Sequence, residues 1–106
     1  MAKVINITKT INAAKLADVP LEKRFWCYDG RVLRNLTELK SAFETMSDDV
    51  FHYHVNEYKN DFSKWVKDVI GDNKLSKDLQ KSYNQAQAAI VVADRINWLN
   101  NKQKTN

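Results

Sequence analysis

Residues 51–72 read FHYHVNEYKNDFSKWVKDVIGD, and the second half of that stretch restricts the fold more than any other part of the chain. Phe62, Trp65, Val66, Val69 and Ile70 recur at spacings of three and four, which puts all of them on one face of a helix. A helix with one apolar face must bury it against other elements, so this segment is predicted to anchor the core. Both of its ends are also written locally. Asn60 or Asp61 can accept a hydrogen bond from a free N–H of the first turn, and Gly71 can take the left-handed conformation that ends a helix.

Composition extends the helical reading to the whole chain. A length of 106 residues makes one domain, long enough to bury a modest core without metal or disulfide support. Two glycines and one proline, with 43% apolar residues, suit helices better than a β-sandwich, whose many turns need more of both. The single cysteine, Cys27, excludes an internal disulfide and fits a reducing compartment, so a cytoplasmic protein is expected. No apolar run approaches the roughly 20 residues that span a bilayer, and the N-terminus lacks the apolar segment of a secretory signal. A soluble, unprocessed chain without membrane contact is therefore expected.

Residues 1–20 form a separate N-terminal arm in this reading, closed by Pro20, with residues 21–106 as the single helical domain. The arm is not assigned. Val4, Ile7, Ile11 and Ala14 suit a helical face, while KVINIT is equally β-prone. In RFWCYDGRVLR, two short β-prone pieces flank Asp29-Gly30, a pair suited to a tight hairpin turn. One face of that hairpin, either Phe25 with Cys27 or Trp26 with Tyr28, must pack on the helices. Asn35 caps a first helix to about Met46, with Glu38 in capping-box position, and Ser47 caps a short second one. Asp72 or Asn73 caps a last helix, the longest, that runs without glycine or proline toward Asn106. The fold class is thus mainly α: a small four-helix domain with a short hairpin near the N-terminus and a long C-terminal helix.

The Asp29-Gly30 hairpin is followed by His54, Val55, Asn56, Asn60, Asp61, Phe62, Trp65, Val66, Asp68, Val69, Gly71 and Asp72, in the pattern HVNxxxNDFxxWVxDVxGD. On these residues the chain, over roughly residues 22–80, resembles a small uncharacterised helical domain of archaeal and bacterial proteins. The resemblance implies a compact domain and carries no activity, cofactor or catalytic residue.

Catalytic chemistry finds little purchase. His52 and His54 stand two apart, which in a helix points them about 200° apart, and the ligand spacings of zinc sites are absent. Gly30 and Gly71 alone cannot build a phosphate loop. No enzyme activity, metal, cofactor or small-molecule substrate is expected. Partners are expected instead, for two reasons. First, the last helix carries more apolar surface than one core contact uses, so Ala89, Ile90, Val92, Ala93, Ile96, Trp98 and Leu99 are the expected interface, covered by a second copy, by another protein, or by the folded-back arm. Second, residues 1–34 carry seven basic and three acidic groups, residues 35–73 four and eight, and residues 74–106 six and two, a pattern of +4, −4 and +4. Basic ends can pair with an acidic middle or attract a polyanion. The expected function is a non-enzymatic protein-interaction or self-assembly module. The alternative is a nucleic-acid-binding protein, nucleoid-associated or regulatory, that uses Arg24, Trp26, Tyr28, Arg31, Arg34, Lys74, Lys77 and Lys81.

Overall fold

The computed structural model describes residues 7–104, with side chains from 10 to 101. Helix α1 (Ile7–Leu16) leads through a single 3-10 turn to strands β1 (Phe25–Trp26) and β2 (Val32–Leu33). Helices α2 (Leu36–Thr45), α3 (Asp48–His54), α4 (Asp61–Trp65), α5 (Asn73–Gln80) and α6 (Gln85–Lys104) follow. The fold is mainly helical, as predicted, but with six α-helices among the described residues rather than four.

The two additional helices have separate causes. Residues 7–16 of the arm, left open between helix and strand, are helical because they lie along α6, whose apolar surface supports the helical pattern over the β-prone one. The long last helix is broken at residues 81–84 despite its good helix formers. Asn84 accepts the Gln87 N–H (2.9 Å), Gln87 accepts the Tyr83 N–H (2.7 Å), and the Ser82 hydroxyl donates to the Asp78 carbonyl (3.1 Å). Short polar side chains here offer the backbone an alternative to the helical ladder, and Asn84 restarts it as an N-cap.

Elsewhere the local signals act as expected. Asn35, Ser47 and Asn60 cap α2, α3 and α4, each accepting the N–H three residues on. Gly71 has φ 82°. The anchoring helix is not uniform, however: Val66–Ile70 is wound as a π-turn, in which the N–H groups of Gly71 and Asp72 both converge on the Val66 carbonyl (2.8 and 3.1 Å). Its apolar face is buried as predicted, with Val69 half-buried at the edge. The hairpin pairs Phe25 with Leu33 and Trp26 with Val32, and Gly30 takes φ 97° in its turn. Phe25 and Cys27 face inward, which settles the choice of face. Phe25 stacks on Phe62 (4.8 Å between centroids), Phe43 meets Phe62 edge-on (4.8 Å), and the Trp65 indole N–H donates to the Lys23 carbonyl (2.8 Å). Each such ring contributes about 1.5–3 kcal/mol by burial.

The Gln85 amide donates to the Met46 carbonyl and the Asp48 carboxylate, so α6 starts beside the C-terminal end of α2 and runs back along it. At 1.5 Å per residue α6 is about 30 Å long and α2 about 15 Å, so the later half of α6 outruns α2. Helix α1 packs along α6 and supplies the further contact its wide apolar surface needs. The Cα radius of gyration, 14.5 Å, exceeds the roughly 13 Å of a compact domain of this length, and the longest extent is 56 Å. Three expected interface residues are corrected by this packing. Ala89, Val92 and Leu99 lie in the chain's own core, where α6 meets its neighbours, and do not face a second molecule. No helix among the described residues is long and apolar enough to cross a membrane.

Candidate interaction surface

A buried ion pair organises the outer side of α6. Asp72 is fully buried; one carboxylate oxygen caps α5 by accepting the Leu75 N–H (3.0 Å), and the other accepts the Arg95 Nε–H (2.7 Å). The Arg95 guanidinium in turn lies 4.4 Å from the centre of the Trp98 ring, within cation–π range. Trp98 is thereby held in place while remaining 43% exposed. It borders a concavity of about 510 Å³ with Lys74, Asp78, Val91, Asp94 and Arg95. A second concavity of about 370 Å³, bordered by Lys81, Tyr83, Gln87 and Ile90, shares Asp78 and Val91 with the first. The two make one groove between α5 and α6.

Of the expected interface residues, Ile90 and Trp98 line this groove and are exposed, and Ala93 and Ile96 are half-buried. Tyr83, Val91, Asp94 and Arg95 complete it. Sequence reasoning passed over Asp72–Arg95 because the partners are 23 residues apart and Asp72 already made sense as a cap. Charge is divided along the groove: Lys81 stands at the Tyr83 end and Asp94 at the Trp98 end, while Lys74 is bound to Asp78 (2.6 Å).

The residues named for nucleic acid lie on and beside the hairpin and on α5. Trp26 and Tyr28 do point outward from the hairpin, but the cations around them are committed. Arg31 is bound to Asp29 (2.9 Å) and to the Thr45 hydroxyl. Arg34 is bound to Glu38 (2.7 Å), chiefly a hydrogen bond that holds the Glu38 carboxyl below its ordinary value, and Arg24 donates to the Val19 carbonyl (3.3 Å). Lys74 and Lys77 belong to α5 and Lys81 caps its end, away from the hairpin in the chain.

His54 sits between the hairpin and the helices. Its Nε2 accepts the Tyr28 N–H (3.0 Å), and its Nδ1 is bonded to the Asp61 carboxylate (3.0 Å), which also accepts from Lys59 (2.8 Å). A backbone N–H can only donate, so Nε2 is the acceptor and Nδ1 carries the proton. Burial pushes the Asp61 carboxyl up, but the hydrogen bonds from Lys59 and His54 outweigh it and hold the group below its ordinary value. The arrangement has the outline of a carboxylate–histidine relay with a backbone amide where a nucleophile would stand. Its lone pair is spent on tying the hairpin to α3 and α4. Cys27 is buried, and burial raises its thiol pKa, the opposite of what a thiolate needs. His52 is exposed and bonded to the Asp48 carbonyl (2.9 Å), and among the described residues no cluster of three metal-ligating side chains occurs.

A polar hollow of about 570 Å³ lies at the loop between α3 and α4. Four of its charges are paired, Lys59 with Asp61 and Lys64 with Asp68, and its amides serve the backbone, Asn56 accepting from Tyr58 and Lys59 and Asn60 from Ser63. Compared with protein-family models, with curated proteins and with solved structures, the chain matches none.

Proposed function

We propose that the chain is a non-enzymatic interaction module of the cytoplasm that self-associates through the α5–α6 groove. The observation that carries this reading is the division of the groove into two unlike ends, Trp98 with Asp94 at one and Tyr83 and Ile90 with Lys81 at the other. A two-fold interface brings each patch onto its counterpart in reverse order. About an axis near Val91, Trp98 and Asp94 of one copy meet the Tyr83 hollow and Lys81 of the second, so both apolar and charged groups find partners. The spent lone pair of His54 and the raised Cys27 thiol support a role without chemistry.

Light scattering tests it, at low and high salt and with mixed-sequence nucleic acid present or absent. The expected result is a dimer that persists in high salt, since an apolar seam is not screened, and that ignores nucleic acid. Ile90→Asp and Trp98→Ala each shift the mass toward monomer. A monomeric wild type at the highest attainable concentration overturns the proposal, and mass gained only with nucleic acid at low salt points to the polyanion reading instead.

A further inference from the structure

A second exposed aromatic group is independent of the groove. On the outer row of the hairpin stand Trp26, 70% exposed, and Tyr28, 62% exposed, with half-buried Val32 directly across from Trp26. Tyr53 of α3 stacks on Tyr28 with 3.9 Å between centroids and 13° between planes. The stack is held from below, because the Tyr28 amide is fixed by His54, the residue after Tyr53. Trp26 ends β1 and Tyr28 belongs to the turn that follows it.

The chemistry of this surface narrows the partner. Among the described residues the Trp26 indole N–H and the Tyr28 and Tyr53 hydroxyls make no hydrogen bond, so the surface offers apolar faces and unused donors. Its charges are neutralised: Arg31 is bound to Asp29, and Lys59, whose Nζ is 5.5 Å from the Tyr53 ring centre, is bound to Asp61. A nucleotide would bring phosphates, whereas the cations shown beside these rings, Arg31 and Lys59, already hold Asp29 and Asp61. We infer that Trp26, Tyr28 and Tyr53 form a docking platform for a proline-rich segment of a partner protein in the polyproline II conformation. Such a segment is uncharged, presents flat apolar rings, and has carbonyl acceptors without N–H donors, the complement of what the platform offers. Both sides are ordered before they meet, which lowers the entropic cost of docking.

The test is an NMR titration of ¹⁵N-labelled protein with a ten-residue polyproline peptide and, in parallel, a ten-residue thymidine oligonucleotide. The indole N–H signals of Trp26, Trp65 and Trp98 are assigned by single Trp→Phe variants. Polyproline is expected to move the Trp26 signal saturably and to leave those of Trp65, bound to the Lys23 carbonyl, and Trp98, in the groove, in place. Trp26→Ala weakens binding at least about tenfold, in line with truncating an aromatic anchor. Tyr53→Ala, which unstacks Tyr28 without touching the strand, weakens it as well. A Trp26 signal unmoved by millimolar polyproline overturns the inference, as does an equal response to the oligonucleotide. Because the readout is the Trp26 signal, a monomeric protein leaves the test intact.

Discussion

Replacing Arg95 by Met tests how the groove is held open. Arg95 donates to a carboxylate that is wholly withdrawn from water and has, among the described residues, only the Leu75 N–H as its other partner. Removing one member of a buried pair leaves the other charge uncompensated, at a cost of about 3–5 kcal/mol. Loss of the cation–π contact with Trp98 adds about 0.5–1 kcal/mol. Against a total stability of roughly 5–15 kcal/mol for a domain this size, that is a large share, equivalent to a Tm drop of about 15–25 °C. Urea unfolding followed by circular dichroism measures it. The companion variant Asp72→Asn keeps the cap acceptor while removing the buried charge, and the double variant is expected to be less destabilised than the sum of the two. If Arg95→Met costs under 1 kcal/mol, or the two variants are additive, the coupling of α5 to α6 through this pair is wrong.

Three further outcomes follow from single contacts. His54→Phe preserves the aromatic packing but leaves the Tyr28 N–H without an acceptor, so stability falls by about 1–3 kcal/mol and the Tyr28 amide exchanges faster with solvent than the rest of the hairpin. Asn12→Leu is expected to raise Tm, because Asn12 is buried on α1 with its amide N–H₂ unpartnered, and removing that group relieves a cost of about 1–3 kcal/mol. Acid weakens the fold through Asp29, Glu38 and Asp61, whose carboxyls are held below their ordinary values. A lowered pKa means the unfolded chain binds more protons, so their stabilisation is complete above the ordinary carboxyl pKa of about 4 and is lost as pH falls through the lower folded values. Unfolding measured between pH 5 and 2 should therefore be less pH-dependent in Asp61→Asn than in wild type.

Signals that act over one turn were legible in the chain. Asn35, Ser47 and Asn60 cap because a side chain three residues from an open N–H needs no tertiary help, and Gly30 and Gly71 take positive φ for an equally local reason. Asn84 with Gln87 is a signal of the same kind, overlooked because the flanking run of helix formers reads as continuous. Of the expected interface, Ile90 and Trp98 lie on an exposed face, whereas Ala89, Val92 and Leu99 are buried. One apolar stripe on α6 cannot reveal which part its own chain will cover.

The amino-acid order by itself determined the helical class, the Asp-Gly hairpin, the buried face of the anchoring helix and most helix starts, since each depends on contacts within a turn or on a short periodicity. Tertiary structure decided that residues 7–16 of the arm are helical against α6, that the hairpin turns Phe25 inward and Trp26 outward, and that Asp72 meets Arg95. These are outcomes of which surfaces reach one another across tens of residues. No window of local sequence contains both partners of such a contact.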